Sequence, residues 1–163
     1  MRPTSVTRAI QLHWLLVGLG LLVTVLTVVR EDALIRSWAE GNSRETRELL
    51  ASGGVEAVRA SSVTPPAFIP VAVVLFIVCA LLVWVLLAFF GNGYGWARWS
   101  LATLVFGVVV CSVAGIRTDP PAMFVVFSVV SFVLELAATY FLWHRDTSAY
   151  LAGTWAAEEP VPA

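Results

Sequence analysis

The sequence predicts an all-α integral membrane protein: a four-helix transmembrane bundle with a partly helical first loop, in a single membrane domain over residues 1–163. Two observations carry this expectation. Apolar residues make up 59% of the chain against 13% charged, and the mean hydropathy is +0.85. A soluble domain has about 45–50% apolar and ~25% charged residues, so this chain has too little charge to clothe a water-facing surface. The apolar residues also gather into four runs, each near the ~20 residues that a helix needs to cross a bilayer. The same balance excludes a soluble enzyme, a nucleic-acid binder and a disordered regulator. A formal net charge of −1 gives no basic field for a polyanion.

The first span, residues 9–29, contains no charge. It is too long for a removable signal peptide and lacks the small-residue cleavage site, so it is expected to be retained. The loop at 30–66 follows. In it Asp32, Arg36, Glu40, Arg44 and Glu48 alternate in sign at every fourth position, a spacing that pairs charges along a helix face. Gly41-Asn42 interrupts this ladder as a C-cap followed by a new start. Span one is therefore expected to continue as helix to about residue 39. A second helix should cover about residues 43–52 and stop at Gly53-Gly54. With five Arg against six acids the loop has no bias towards a charged ligand, and a solvated hairpin covering the bundle end is preferred to a binding cap.

The second span, 67–90, follows Pro65-Pro66 and is charge-free. The turn Gly91-Asn92-Gly93-Tyr94-Gly95 breaks the helix before a third span at 99–116. Residues 117–121 lead into the fourth, 123–143, with Pro121 suited to a first helical turn. Such short connectors make spans two to four antiparallel neighbours. The tail, 144–163, is expected to lose order after about residue 156.

With four spans, both termini should share one side of the cell membrane. Six of the ten Arg fall on the opposite side, five of them among the acids of the long loop, whereas segments 1–8 and 91–98 carry Arg and no acid. The latter favours cytoplasmic termini. Trp14, Tyr94, Trp96, Trp99, Tyr140 and Trp143 all fall near that face, where amphipathic rings collect at headgroup depth.

Two stretches, Phe-Phe-Gly-Asn-Gly-Tyr-Gly-Trp-Ala-Arg-Trp from Phe89 to Trp99 and Tyr-Phe-Leu-Trp-His-Arg-Asp-Thr-Ser-Ala-Tyr-Leu from Tyr140 to Leu151, resemble uncharacterised small four-span membrane proteins of high-GC Gram-positive bacteria. Asp146 stands where that pattern more often has Pro. The resemblance implies a fold and a host lineage, and no activity.

Polar residues inside the spans are few. Glu135 is the one charged side chain in the four runs, and no basic residue lies on its own span before Trp143. An intramembrane carboxylate is costly and usually faces a bundle interior or a cavity. Ser128, Ser131, Glu135 and Thr139 share one helical face, and counting from the span ends places Glu135, to within about one turn (~5 Å), opposite Thr103 or Leu104 in span three, near Gly18 in span one and near Cys79 or Ala80 in span two. Thr103, Ser131 and Thr139 are thus its candidate hydrogen-bond partners. Thr103, Gly107, Cys111 and Gly115 recur at every fourth position of span three, a stripe expected to serve as a helix-packing seam. Cys79 and Cys111 form no CxxC pair and read as packing residues. His13 and His144 could clasp a haem iron in principle; the simpler expectation is that His13 hydrogen-bonds in the bundle and His144 meets headgroups. Zinc spacings, phosphate loops and nucleophile elbows are missing from the sequence, so no cofactor, metal site or catalytic residue is assigned. The expectation is a non-catalytic multi-pass protein, a scaffold or accessory subunit whose partners are the bilayer and another membrane protein or a second copy. The alternative is a small proton-coupled transporter centred on Glu135.

Overall fold

The computed structural model describes residues 2–117 and 119–155; the expected loss of order after about residue 156 lies outside the described residues. Among these the chain is all helical: α1 (Thr4–Val29), α2 (Glu31–Glu40), α3 (Arg44–Ala60), α4 (Phe68–Gly91), α5 (Gly95–Ile116), α6 (Ala122–Leu142) and α7 (Arg145–Leu151). Helices α1, α4, α5 and α6 are each long and apolar enough to span a membrane. In hydrocarbon a helix satisfies every backbone group within its own segment, and outward side chains such as Val74, Phe106 and Val133 stay 60–68% exposed.

Helix α1 begins five residues earlier than expected, because Pro3, extended at φ −61° and ψ 153°, is followed at once by helix. It packs along both α6 and α4, while α5 packs on α4 and makes the slightest contact of the four neighbouring pairs with α6. The bundle is therefore tight at one end only. There Val6, Ala9, Leu87, Phe90, Leu101 and Leu142 form a buried core.

That end is plugged by α7, a helix within the segment expected to be tail. The His144 side chain accepts from the Asp146 backbone N–H and caps the helix. Buried Thr147 donates to the Phe141 carbonyl at 2.8 Å and meets the Ser5 hydroxyl at 2.9 Å. The Tyr150 hydroxyl donates to the Gly91 carbonyl at 2.9 Å. Arg98 bonds Ser148 at 3.0 Å and lies 4.4 Å from the centre of the Trp143 ring, a cation–π distance.

At the other end, α2 and α3 cover the bundle. Span one does not run on to residue 39 as one helix: Arg30 departs to φ −115°, ψ 26° and α2 starts afresh. The first charges after the apolar run lie here, and Glu31 and Asp32 suit the positive end of a new helix dipole. Ser43 caps α3 by accepting from the Thr46 N–H. Gly54, at φ 69°, breaks α3 where a stop is expected, but the helix resumes to Ala60. Ile35, Ala39 and Val58 pack as a second small core. Of the alternating ladder only Arg44 and Glu48 pair, at 2.7 Å and in solvent. The acids at the start of α2 are held instead by Arg59, 3.0 Å from Glu31 and 2.8 Å from Asp32, since the hairpin brings the end of α3 back to them. Ser37 also hydrogen-bonds the Asp119 carbonyl, joining α2 to the α5–α6 connection.

Candidate functional site

Because α5 stands away from α6, a cleft of about 680 Å³ opens among the four spans. Its walls come from α1 between His13 and Thr27, α4 between Ala72 and Val83, α5 between Thr103 and Ser112, and α6 between Phe124 and Glu135. It reaches the loop end of the bundle and stops at the core that α7 plugs. Most of the wall is apolar, including the rings of Phe76, Phe124 and Phe127, with polar groups from Thr24, Thr103, Ser112, Ser128, Ser131, His13 and Glu135.

Glu135 sits at the closed end and is 3% exposed. The Ser131 hydroxyl, one turn back on the same helix, donates to its Oε1 at 3.0 Å. Among the described residues no Lys, Arg or His forms an ion pair with it. Thr103 lines the same cleft from α5 without bonding Glu135, and Thr139, one turn past Glu135, is outside the lining. Of the three expected partners, then, only Ser131 makes the bond: an i−4 hydroxyl is brought to the carboxyl by the helix itself, whereas Thr103 stands across open space.

His13 is the site residue the sequence reading placed elsewhere. Counting from the span ends set Gly18 opposite Glu135. The Thr147 bonds to Ser5 and to the Phe141 carbonyl fix a different register between α1 and α6. From that level His13 lies eight residues along α1 and Glu135 six residues back along α6, which puts them within about one turn, ~5 Å, of the same depth. The early start of α1 is the physical reason. His13 is 2% exposed, its Nδ1 lies 2.7 Å from the Ala9 carbonyl, and Nε2 has no hydrogen-bond partner. A carbonyl only accepts, so Nδ1 carries a proton, and Nε2 is left facing no partner. His144 caps α7 well away from this depth, so the two histidines do not face a common iron.

The stripe on α5 corrects a second expectation. Thr103, Gly107 and Cys111 line the cleft rather than a neighbouring backbone, and a Cβ on Gly107 would meet nothing within 4 Å. Gly115, one turn on, is exposed. Small residues here widen a space instead of closing a seam, and Gly20, Ala72, Cys79 and Ala80 do the same on the facing helices. A signal for this was in the sequence, as small side chains from three spans fall at overlapping depths.

A second hollow of about 600 Å³ lies at the loop end beside α2, lined by Arg30, Asp32, Arg36 and Glu40 among others. Its charges balance, consistent with a solvated surface. Compared with known protein families, curated proteins and solved structures, the chain matches none.

Proposed function

We propose that this multi-pass membrane protein is a small proton-coupled carrier, with Glu135 as its proton-exchanging group. The observation that carries the reading is the cleft itself: all four spans line it, and the lone intramembrane acid stands at its closed end. Its volume of about 680 Å³ falls within the ~300–1,000 Å³ of small-molecule sites and is too small to bury a transmembrane helix of a partner. A scaffold has no need of a space inside its own bundle with a carboxyl at its closed end. The exchange itself is local. A proton on Glu135 leaves for water at the cleft mouth as a solute arrives, and returns when the solute departs. The exchange involves no covalent step beyond this proton transfer, and the carrier is non-catalytic. Its setting is the cell membrane, with both termini on the cytoplasmic side.

The accessory-subunit reading keeps one observation in its favour, the slight contact between α5 and α6, which a helix of another membrane protein or of a second copy could reinforce. The two native cysteines separate the readings, because Cys79 and Cys111 both line the cleft and a thiol reacts as the thiolate, which needs water. A hydrophilic methanethiosulfonate reagent should label Cys111 from both sides of sealed membrane vesicles, with the ratio between sides altered in Glu135→Gln. Labelling from neither side, or from one side alone whatever stands at 135, would overturn the carrier.

A further inference from the structure

We infer that the solute held in this cleft is a lipophilic cation, a monovalent onium or protonated amine with bulky apolar substituents; the inference rests on the carrier reading of Glu135. Charge complementarity is the first ground. Among the described residues Glu135 is the only acid lining the cleft and no Arg lines it, and Lys does not occur in the chain. A carboxylate withdrawn from water needs either a proton or a counter-cation, and no Lys or Arg of the bundle supplies one. The other titratable groups on the wall are His13 on α1, Cys79 on α4 and Cys111 on α5. The first has committed Nδ1–H to Ala9 and leaves Nε2 without a partner, and none of the three is a permanent cation.

Shape is the second ground. Phe127 lies eight residues before Glu135 on α6, which sets its level ~12 Å towards the loop end. Phe76 stands near that level, with its ring 3.5 Å from where a Cβ on Gly20 would be. A solute with its charge at Glu135 would therefore lay its apolar substituents among Phe76, Phe124 and Phe127. The vacant Oε2 is the point of contact, since Oε1 already accepts from Ser131. The exchange balances: Glu135–COOH plus the cation gives the Glu135–COO⁻ cation pair and one proton released to water.

The test uses a pair of probes of one shape and opposite charge, tetraphenylphosphonium and tetraphenylborate, in equilibrium dialysis against the full chain in mild detergent. The wild type should bind the phosphonium at least about tenfold more tightly than the borate, the range expected when a buried charge is paired or left unpaired. Glu135→Gln should erase that preference, and phosphonium binding should release protons from the wild type but not from Glu135→Gln. Equal binding of both ions by the wild type, preference for the borate, or binding of neither would overturn the cation inference. The comparison of the two ions on wild-type protein stands even where Glu135→Gln accumulates poorly. Cysteine labelling from both sides would survive any of these results, so the carrier reading and the solute class fail separately.

Discussion

Replacing Gly107 with Leu distinguishes a packed seam from a cleft wall, and the structure sets the size of the difference. A seam of small residues holds two backbones close, and forcing a leucine into it costs about 1–3 kcal/mol of overpacking. Around Gly107 there is nothing within 4 Å of a new Cβ, so the substitution should fall within about 0.5 kcal/mol of neutral. Gly20 on α1 is the matched control. There a Cβ would already stand in van der Waals contact with the Phe76 ring, 3.5 Å from Cδ2 and 3.7 Å from Cε2, so a leucine has less room than at Gly107 and crowds that ring. For a chain of this size 1 kcal/mol moves the melting temperature by about 2–4 °C. Thermal unfolding in mild detergent should therefore show Gly107→Leu within about 2 °C of wild type and Gly20→Leu several degrees lower. The added leucine fills about four water-sized volumes, roughly 120 Å³, of the cleft's 680 Å³, so phosphonium binding should weaken in Gly107→Leu despite intact folding. A melting temperature for Gly107→Leu as low as that of Gly20→Leu would refute the open cleft and restore the seam.

Three further outcomes follow from named contacts. Thr147→Val keeps the shape of a fully buried residue but removes its bonds to Ser5 and Phe141; leaving the Ser5 hydroxyl buried alone should cost about 1–3 kcal/mol, read as a fall in melting temperature, and no fall would mean α7 is not docked as described. Reporters fused after Ala163 and inserted at the Gly53-Gly54 break should report opposite compartments, and agreement between them would remove one of the four spans. Glu135→Gln preserves the acceptor that Ser131 uses, so folded protein should accumulate to wild-type levels in the membrane; failure to accumulate would indicate that Glu135 is an ion paired with a partner chain.

The spans were legible because lipid leaves the backbone no alternative to the helix, and twenty apolar residues in a row announce one without reference to anything distant. Helix α7 was not legible for the opposite reason. Seven residues are too few to show a period or to hold a helix alone, and what fixes it is Ser5, 142 positions away from Thr147, together with Gly91. The break at Arg30 and the Arg59 bridges are likewise settled by how the hairpin folds back, which an i,i+4 ladder does not encode. At the site, the Ser131–Glu135 bond was readable since it lies within one turn of one helix. The match of His13 to Glu135 was not, since it depends on where α1 starts and on the slide between two helices.

The ambiguity of the α5 stripe is of a different kind, and it bears on function. Glycine, threonine and cysteine at every fourth position make a groove in a helix surface whatever faces it. If a second helix enters the groove the result is close packing; if the neighbours stand off, the same groove becomes the wall of a cavity. Here the choice is made at the far end of the bundle, where Phe90, Leu101 and Leu142 pack fully buried and α7 braces them, while towards the loop end α1 keeps Gly20 and Thr24, and α4 keeps Ala72 and Cys79, on the inner wall. Large side chains at one end and small ones at the other set a wedge. The closed end is held by hydrogen bonds to α7 and the open end by the cap of α2 and α3; a carrier that closed its loop end would bring α5 towards α1, where small residues on both walls leave room. A bulky substitution on the α5 wall should then hold the cleft open without unfolding the protein, and cysteine labelling of Gly107→Leu should become restricted to the loop side.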